Sequence, residues 1–249
     1  MALNCGIVGL TNVGKTTIFQ ALSGSKAETG NYNFSTINPN VGIVNVNDKR
    51  LFALADIFKP KKTIPAIVEF VDISGLVKGS SKGEGLGNQF LAHIRDVGVI
   101  AHVVRCFSDP DVIHVSGKID PEADIETINI ELALADLDSL GRRRERATKS
   151  LKSQDKNEHK LAEATLAALD KISPLLENGR PARDAELTPD EIAAVYDCHF
   201  ITMKPQLYVC NVDETYFKAG PNPWVTAVQK RAEREGSQAV VIAGKFEAD

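Results

Sequence analysis

Gly9-Leu-Thr-Asn-Val-Gly14-Lys15-Thr16 stands between an apolar run, residues 3–8, and an amphipathic one, residues 17–22. A buried strand entering a glycine-rich turn that opens a helix is the setting of a phosphate-binding loop. Each residue type answers a physical need. The glycines let the backbone curl so that N–H groups point inward, and the helix N-terminus adds positive potential. Lys15 suits the neutralisation of β- and γ-phosphate oxygens, and the Thr16 hydroxyl suits Mg²⁺. Asn12, Val13, Gly14, Lys15, Thr16 and Thr17 are the candidate phosphate contacts.

Outward from this loop, runs rich in β-branched residues recur at 41–46, 66–71, 97–107, 206–210 and 239–242, with helical patterns at 49–58 and 223–235. Strands alternating with helices predict an α/β fold: a mostly parallel sheet with helices on both faces, the P-loop NTPase G domain. Between residues 121 and 199 the texture changes to helical stripes without strand signals. Asp120-Pro121 forms an N-cap and first-turn pair, followed by Ile125, Ile128, Leu132 and Ala135. A second stripe, Leu161, Thr165, Ala168, Ile172 and Leu175, predicts an antiparallel partner helix. The expected organisation is a G domain over 1–120 and 200–249, interrupted by a helical arm over 121–199.

The 249 residues are 43% hydrophobic, enough for a proper core, and carry a formal charge of −4. That charge gives no general pull toward nucleic acid or anionic membrane. A local exception is Arg142-Arg-Arg-Glu-Arg146 with Lys149, Lys152 and Lys156, read either as a solvated helix tip or as a phosphate-contacting patch for RNA. No apolar run approaches bilayer length and the first strand leaves no room for a signal peptide, so the expectation is a cytoplasmic chain without membrane contact. Cys5, Cys106, Cys198 and Cys210 lack metal-ligand spacing and read as reduced, mostly buried thiols.

A phosphate loop serves kinases, transporter ATPases and regulatory switches alike. Asp72-Ile-Ser-Gly75 points to the switch: at a strand tip, the carboxylate can hold Mg²⁺ through water and the glycine N–H can meet the γ-phosphate. Thr36, in the polar loop before the second strand, lies where a switch threonine would cap the same ion. Leu76 stands where regulatory GTPases generally place a water-orienting glutamine, and leucine cannot do that. For the base, Asn211-Val-Asp-Glu214 departs twice from the guanine-reading Asn-Lys-x-Asp. Val212 replaces the lysine beside the base, and Glu214 carries a longer carboxylate, which can accept from either purine.

These motifs together resemble the YchF/Obg-like ATPase family. The likeness runs through Asn33-Phe-Ser-Thr-Ile-Asn-Pro-Asn-Val-Gly42, Asp72-Ile-Ser-Gly-Leu-Val-Lys-Gly79, Gly83-Glu-Gly-Leu-Gly-Asn-Gln-Phe90, His102-Val-Val-Arg-Cys-Phe107 and His114-Val-Ser-Gly117. The resemblance implies ATP preferred over GTP, a hydrophobic residue in place of the catalytic glutamine, and association with the ribosome. It makes His114 the leading substitute for that glutamine. It also makes Asn12 a candidate K⁺ ligand, because asparagine holds a monovalent cation there in potassium-activated relatives. Thr11 stands where the family usually has proline, and Ser35 where many members carry cysteine, which puts redox control through that thiol in doubt. Family members continue into a TGS domain, whereas this sequence stops at Asp249, as a fragment or a shortened protein.

The leading expectation is a monomeric, Mg²⁺-dependent ATPase of the switch type. Lys15, Gly75 and His114 are its catalytic candidates, Thr16, Thr36 and Asp72 its metal candidates, and Asn211, Val212 and Glu214 its base contacts. Ribosome or ribosomal RNA would be the partner, through the G domain and the basic arm. The alternatives are a guanine-specific GTPase, a nucleotide-gated scaffold with negligible hydrolysis, and a small-molecule kinase.

Overall fold

In the computed structural model, which describes residues 3–24, 40–73 and 86–248, β1 (Leu3–Val8) runs into the glycine turn and α1 (Lys15–Ser23) leaves it. Cys5, Ile7 and Val8 are all buried, as suits a strand with helices on both faces. The remaining strands are β2 (Asn40–Asn45), β3 (Ile67–Asp72), β4 (Val99–Arg105), β5 (Gln206–Asn211) and β6 (Gln238–Ile242). They form one sheet in the order β2-β3-β1-β4-β5-β6. Only β2, at the edge, is antiparallel to its neighbour.

Register decides where the chemistry gathers. Asp72 lies opposite Ile7, one residue before the end of β1, and Asn211 lies opposite both Arg105 and Ile242. The phosphate loop, Asp72 and Asn211 therefore share the carboxyl edge of the sheet, where open α/β folds bind ligands.

The connecting helices are α2 (Lys49–Phe58), α3 (Leu86–Asp96), α4 (Pro121–Ser150), α5 (Lys156–Glu177), α6 (Pro189–Val195), α7 (Tyr216–Ala219), α8 (Pro223–Arg234) and α9 (Gly244–Ala248). Side-chain caps fix the starts of α2, α4 and α8: Asp48 accepts from the Arg50 amide, Asp120 from Ala123, and Asn222 from Trp224. Among the described residues no helix is long and apolar enough to cross a membrane.

The helical block does not stand apart from the sheet. Ile128, Leu132 and Ala135 of α4 pack in the same core as Ile7 and Ile100, whereas Leu140, one turn and more further on, joins Ala168, Leu169, Ile172 and Leu176 of α5. One 30-residue helix thus begins as a crossover helix of the sheet and ends as half of a helix pair. The α5 stripe is also corrected. Leu161 is 50% exposed, and the buried seam is Ala162, Thr165, Ala168, Leu169, Ile172 and Leu176. A one-residue offset rotates a helix face by about 100°, so the seam passes through Ala162 and leaves Leu161 to solvent.

The arginine run lies toward the end of α4, with Lys149, Lys152 and Lys156 around the turn into α5, and part of it is paired. Arg143 pairs with Asp197 at 3.2 Å and donates to the Ala194 carbonyl, and Arg144 pairs with Asp170 at 2.6 Å. These two arginines bridge α4 to α5 and to the segment after α6. Deeper still, the fully buried Asp136 accepts from the Ile201 amide (2.9 Å), the Thr202 amide (2.8 Å) and the Thr202 hydroxyl (2.8 Å). It thereby fixes the turn that leads into β5. Cys5, Cys106 and Cys210 are buried free thiols and Cys198 is half-buried.

Candidate nucleotide site

The phosphate loop depends on its two end glycines for different reasons. Gly14 has φ 94°, and a methyl group there would overlap the Asn211 side-chain amide. At Gly9 a methyl would run into the carbonyl oxygen of Val103 on β4. Between them Asn12 takes the left-handed conformation at φ 62°, which asparagine tolerates better than most residues. Its amide nitrogen donates to the Ile113 carbonyl at 3.1 Å.

At the start of α1, the buried Lys15 ammonium donates to the Leu10 carbonyl at 2.7 Å. Burial pulls its pKa below the ordinary value, and the Asp72 charge opposes that shift. Thr16, whose residue is exposed, donates its hydroxyl to Asp72 Oδ2 at 3.1 Å. Asp72 is only 3% exposed, and burial raises its pKa against the lowering by the Thr16 hydroxyl and the Lys15 charge. Its other oxygen, Oδ1, is buried with no hydrogen-bond partner.

An orphaned carboxylate oxygen beside a threonine hydroxyl is what a hard divalent cation satisfies. No group of three or more His, Cys, Asp or Glu side chains that could hold a metal occurs among the described residues. Mg²⁺ is usually held by one or two protein oxygens, waters and substrate phosphates. Thr16 and Asp72 fit the ion. Thr36 and Gly75, the other expected contacts, lie outside the described residues.

On the base side, each residue has partners of its own in the fold. Asn211 is buried and both ends of its amide are committed: Nδ2 donates to the Val13 carbonyl at 2.9 Å, and Oδ1 accepts from the Gly244 amide at 3.0 Å. It ties the phosphate loop to the segment after β6. Val212 is only 3% exposed and packs into the core with Cys210, Val225 and Val228, so its side chain does not wall a base. Its amide bonds to the Ile242 carbonyl, which fixes that direction. Asp213 accepts from the Thr215 amide and hydroxyl. Glu214 is exposed at the end of this strand and loop.

His114 does not face open solvent. It is buried, with Nε2 at 2.9 Å from Asp124 Oδ2, while Nδ1 accepts from the Ser116 amide at 3.2 Å and lies 2.9 Å from the Ser116 hydroxyl. The loop is shaped by a residue that sequence reading passed over. Arg105, buried at the end of β4, donates to the carbonyls of Phe107, Val112 and Asp109, and its guanidinium lies 4.6 Å from the Phe107 ring centroid. An arginine closing a strand rich in β-branched residues was the available signal.

Comparison with known proteins gives the family. Residues 4–140 match the model of the 50S ribosome-binding GTPase family. Over all 249 residues the chain is 51% identical to the ribosome-binding ATPase YchF of Haemophilus ducreyi and spans 67% of that protein. The corresponding figures for the ribosome-binding ATPase YchF of Escherichia coli O157:H7 are 50% and 67%. The solved structure of the Schizosaccharomyces pombe YchF GTPase superposes with a TM-score of 0.79 at 33% identity, over 99% of this chain and 66% of that one. The chain thus spans about two thirds of the length of these relatives. Identity of about one half along the whole of this sequence, on a shared fold, means that the chain belongs to the YchF family.

Proposed function

We propose that this chain binds ATP with Mg²⁺ at the phosphate loop, hydrolyses it to ADP and phosphate, and couples the nucleotide state to ribosome association in the cytoplasm as a monomer. The observation that carries the reading is the unpaired Asp72 Oδ1 beside the Thr16 hydroxyl and the buried Lys15 ammonium. A buried acid with an unmet acceptor and a desolvated amine are costly unless a ligand completes them.

Lys15 would exchange the Leu10 carbonyl for phosphate oxygens. Thr16 and Asp72 would hold Mg²⁺, which supplies charge neutralisation of the phosphates when bound. The Asn12 oxygen is the atom that would meet K⁺, since its nitrogen serves Ile113. Thr36 as a further Mg²⁺ ligand and Gly75 as a γ-phosphate contact complete the set on their motifs alone, since both lie outside the described residues. Asn211 keeps the phosphate loop and the segment after β6 in register, and the exposed Glu214 reads the base. Preference for ATP draws on that longer carboxylate and on relatives named ATPases. Ribosome association draws on the same names, with Arg142 and Arg146 as the arginines of the basic run outside the Asp197 and Asp170 pairs.

The test is phosphate release from ATP by this chain alone and with ribosomes, for the native protein and Lys15→Ala. Stimulated release that vanishes in Lys15→Ala supports the reading; equal turnover in both proteins overturns it. A scaffold that hydrolyses slowly has one observation in its favour, the engagement of both His114 ring nitrogens.

A further inference from the structure

The loop carrying His114 has two anchors on opposite sides of it. Asn12 of the phosphate loop holds the Ile113 carbonyl at 3.1 Å, and Asp124, in the first turn of α4, holds the His114 ring at 2.9 Å. The proton positions follow from the donors. The Ser116 backbone amide can only donate, so Nδ1 is an acceptor and bears no proton. A neutral ring then carries its proton on Nε2 and gives it to Asp124. Neither nitrogen remains for a water molecule.

We propose that Asp124 is a latch that withholds His114 from the nucleotide, and that displacement of α4 releases it. This rests on His114 being the residue that orients the attacking water. Asp124 is a positioning residue in this scheme, since it touches His114 and no reacting atom. Its carboxylate is buried at a helix N-terminus: burial raises its pKa, opposed by the hydrogen bond to His114, and packing keeps solvent from competing for that bond.

Geometry makes the latch responsive to the arm. Asp124 and the arginine run lie on the same continuous helix, which also packs along α5. A hydrogen bond of 2.9 Å is lost when its partners part by about an ångström, so a small shift of α4 suffices. The Asn12 contact would meanwhile keep Ile113 beside the phosphate loop. Arg105 holds the earlier half of the loop through Phe107, Asp109 and Val112. Gly117, at φ 76° with open space around it, provides the joint on the other side. A partner that pulls on the arm would thereby expose the imidazole without disturbing the phosphate cradle.

Single-turnover ATP hydrolysis by the 249-residue chain tests this in four proteins: native, Asp124→Ala, His114→Ala and the double variant. Release of a hydrogen bond to a charged group predicts that Asp124→Ala raises the rate constant by about tenfold with the ATP KM unchanged. The double variant should fall to the His114→Ala rate. Asp124→Asn keeps an acceptor oxygen without the charge and should lie between native and alanine. Nitrogen-15 shifts of His114 give an independent reading: the Nε2–H form should give way to a mixed population in Asp124→Ala. A slow His114→Ala with an unchanged or slower Asp124→Ala would overturn the latch alone. An unchanged His114→Ala would overturn the role of His114 and the latch with it.

Discussion

Asn211 is the residue on which the structure departs furthest from its motif, and Asn211→Ala puts a number on the difference. The side chain joins Val13 to Gly244 through bonds of 2.9 and 3.0 Å, in a site where all three residues are largely hidden from solvent. Alanine would leave one carbonyl and one amide unpaired, each costing about 1–3 kcal/mol. A net loss of about 3 kcal/mol follows, which for a chain of this size corresponds to a fall in melting temperature of roughly 6–12 °C. The assay is thermal and urea unfolding of the nucleotide-free protein. Asn211→Asp sharpens it: one oxygen can still accept from Gly244, but the other meets the Val13 carbonyl, so stability should fall by a similar amount. If Asn211→Ala lost nucleotide affinity with its unfolding midpoint unchanged, the residue would be a base contact and not a brace.

Asp72→Asn should behave in the opposite way, raising the stability of the free protein by about 1 kcal/mol, because it removes a buried charge with an unmet oxygen. It should also weaken Mg²⁺-dependent nucleotide binding at least tenfold, and urea unfolding with calorimetry measures both. The same carboxyl sets a pH signature. Its folded pKa lies above the ordinary 3.8, so as pH rises through that interval the unfolded chain loses its proton first and folding stability falls. The stability of native protein minus that of Asp72→Asn, followed upward from pH 3.8, should therefore decline. Gly14→Ala, with its methyl driven into the Asn211 amide, should reduce ATP affinity more than a hundredfold by calorimetry. Asp136→Asn turns an NH₂ group toward amides that need an acceptor and should cost about 2–4 kcal/mol in urea unfolding.

What the sequence disclosed and what it withheld divide along physical lines. The phosphate loop, the strand-tip Asp72 and the spans of α2 and α8 are local patterns, and they were legible because adjacent residues determine them. The antiparallel edge strand β2 was not, since a run of β-branched residues carries no direction. Asn211 reads locally as part of a base motif; its bond to Val13 joins positions 198 residues apart and exists only through the sheet order. Val212 shows the same limit, because alternation at a strand end tells which residues share a face but not which face is the core. The α5 stripe is offset by one residue at both ends, Ala162 and Leu176 being buried in place of Leu161 and Leu175, because side-chain size in the sequence does not tell which of two adjacent helical positions faces the core. The arginine run looked like a solvent-facing patch until its acidic partners, Asp170 and Asp197, were brought alongside by the folding of α5 and the segment after α6.

The central claim is that the Lys15, Thr16 and Asp72 cluster is completed by ATP and Mg²⁺. Calorimetry of this chain with ATP and with GTP, each with and without Mg²⁺, tests it most directly. The account predicts tight, Mg²⁺-dependent ATP binding that is abolished in Lys15→Ala, with GTP weaker. Tighter binding of GTP would mean that Glu214 reads guanine, and binding of either nucleotide that ignored Mg²⁺ would contradict the assignment of Thr16 and Asp72.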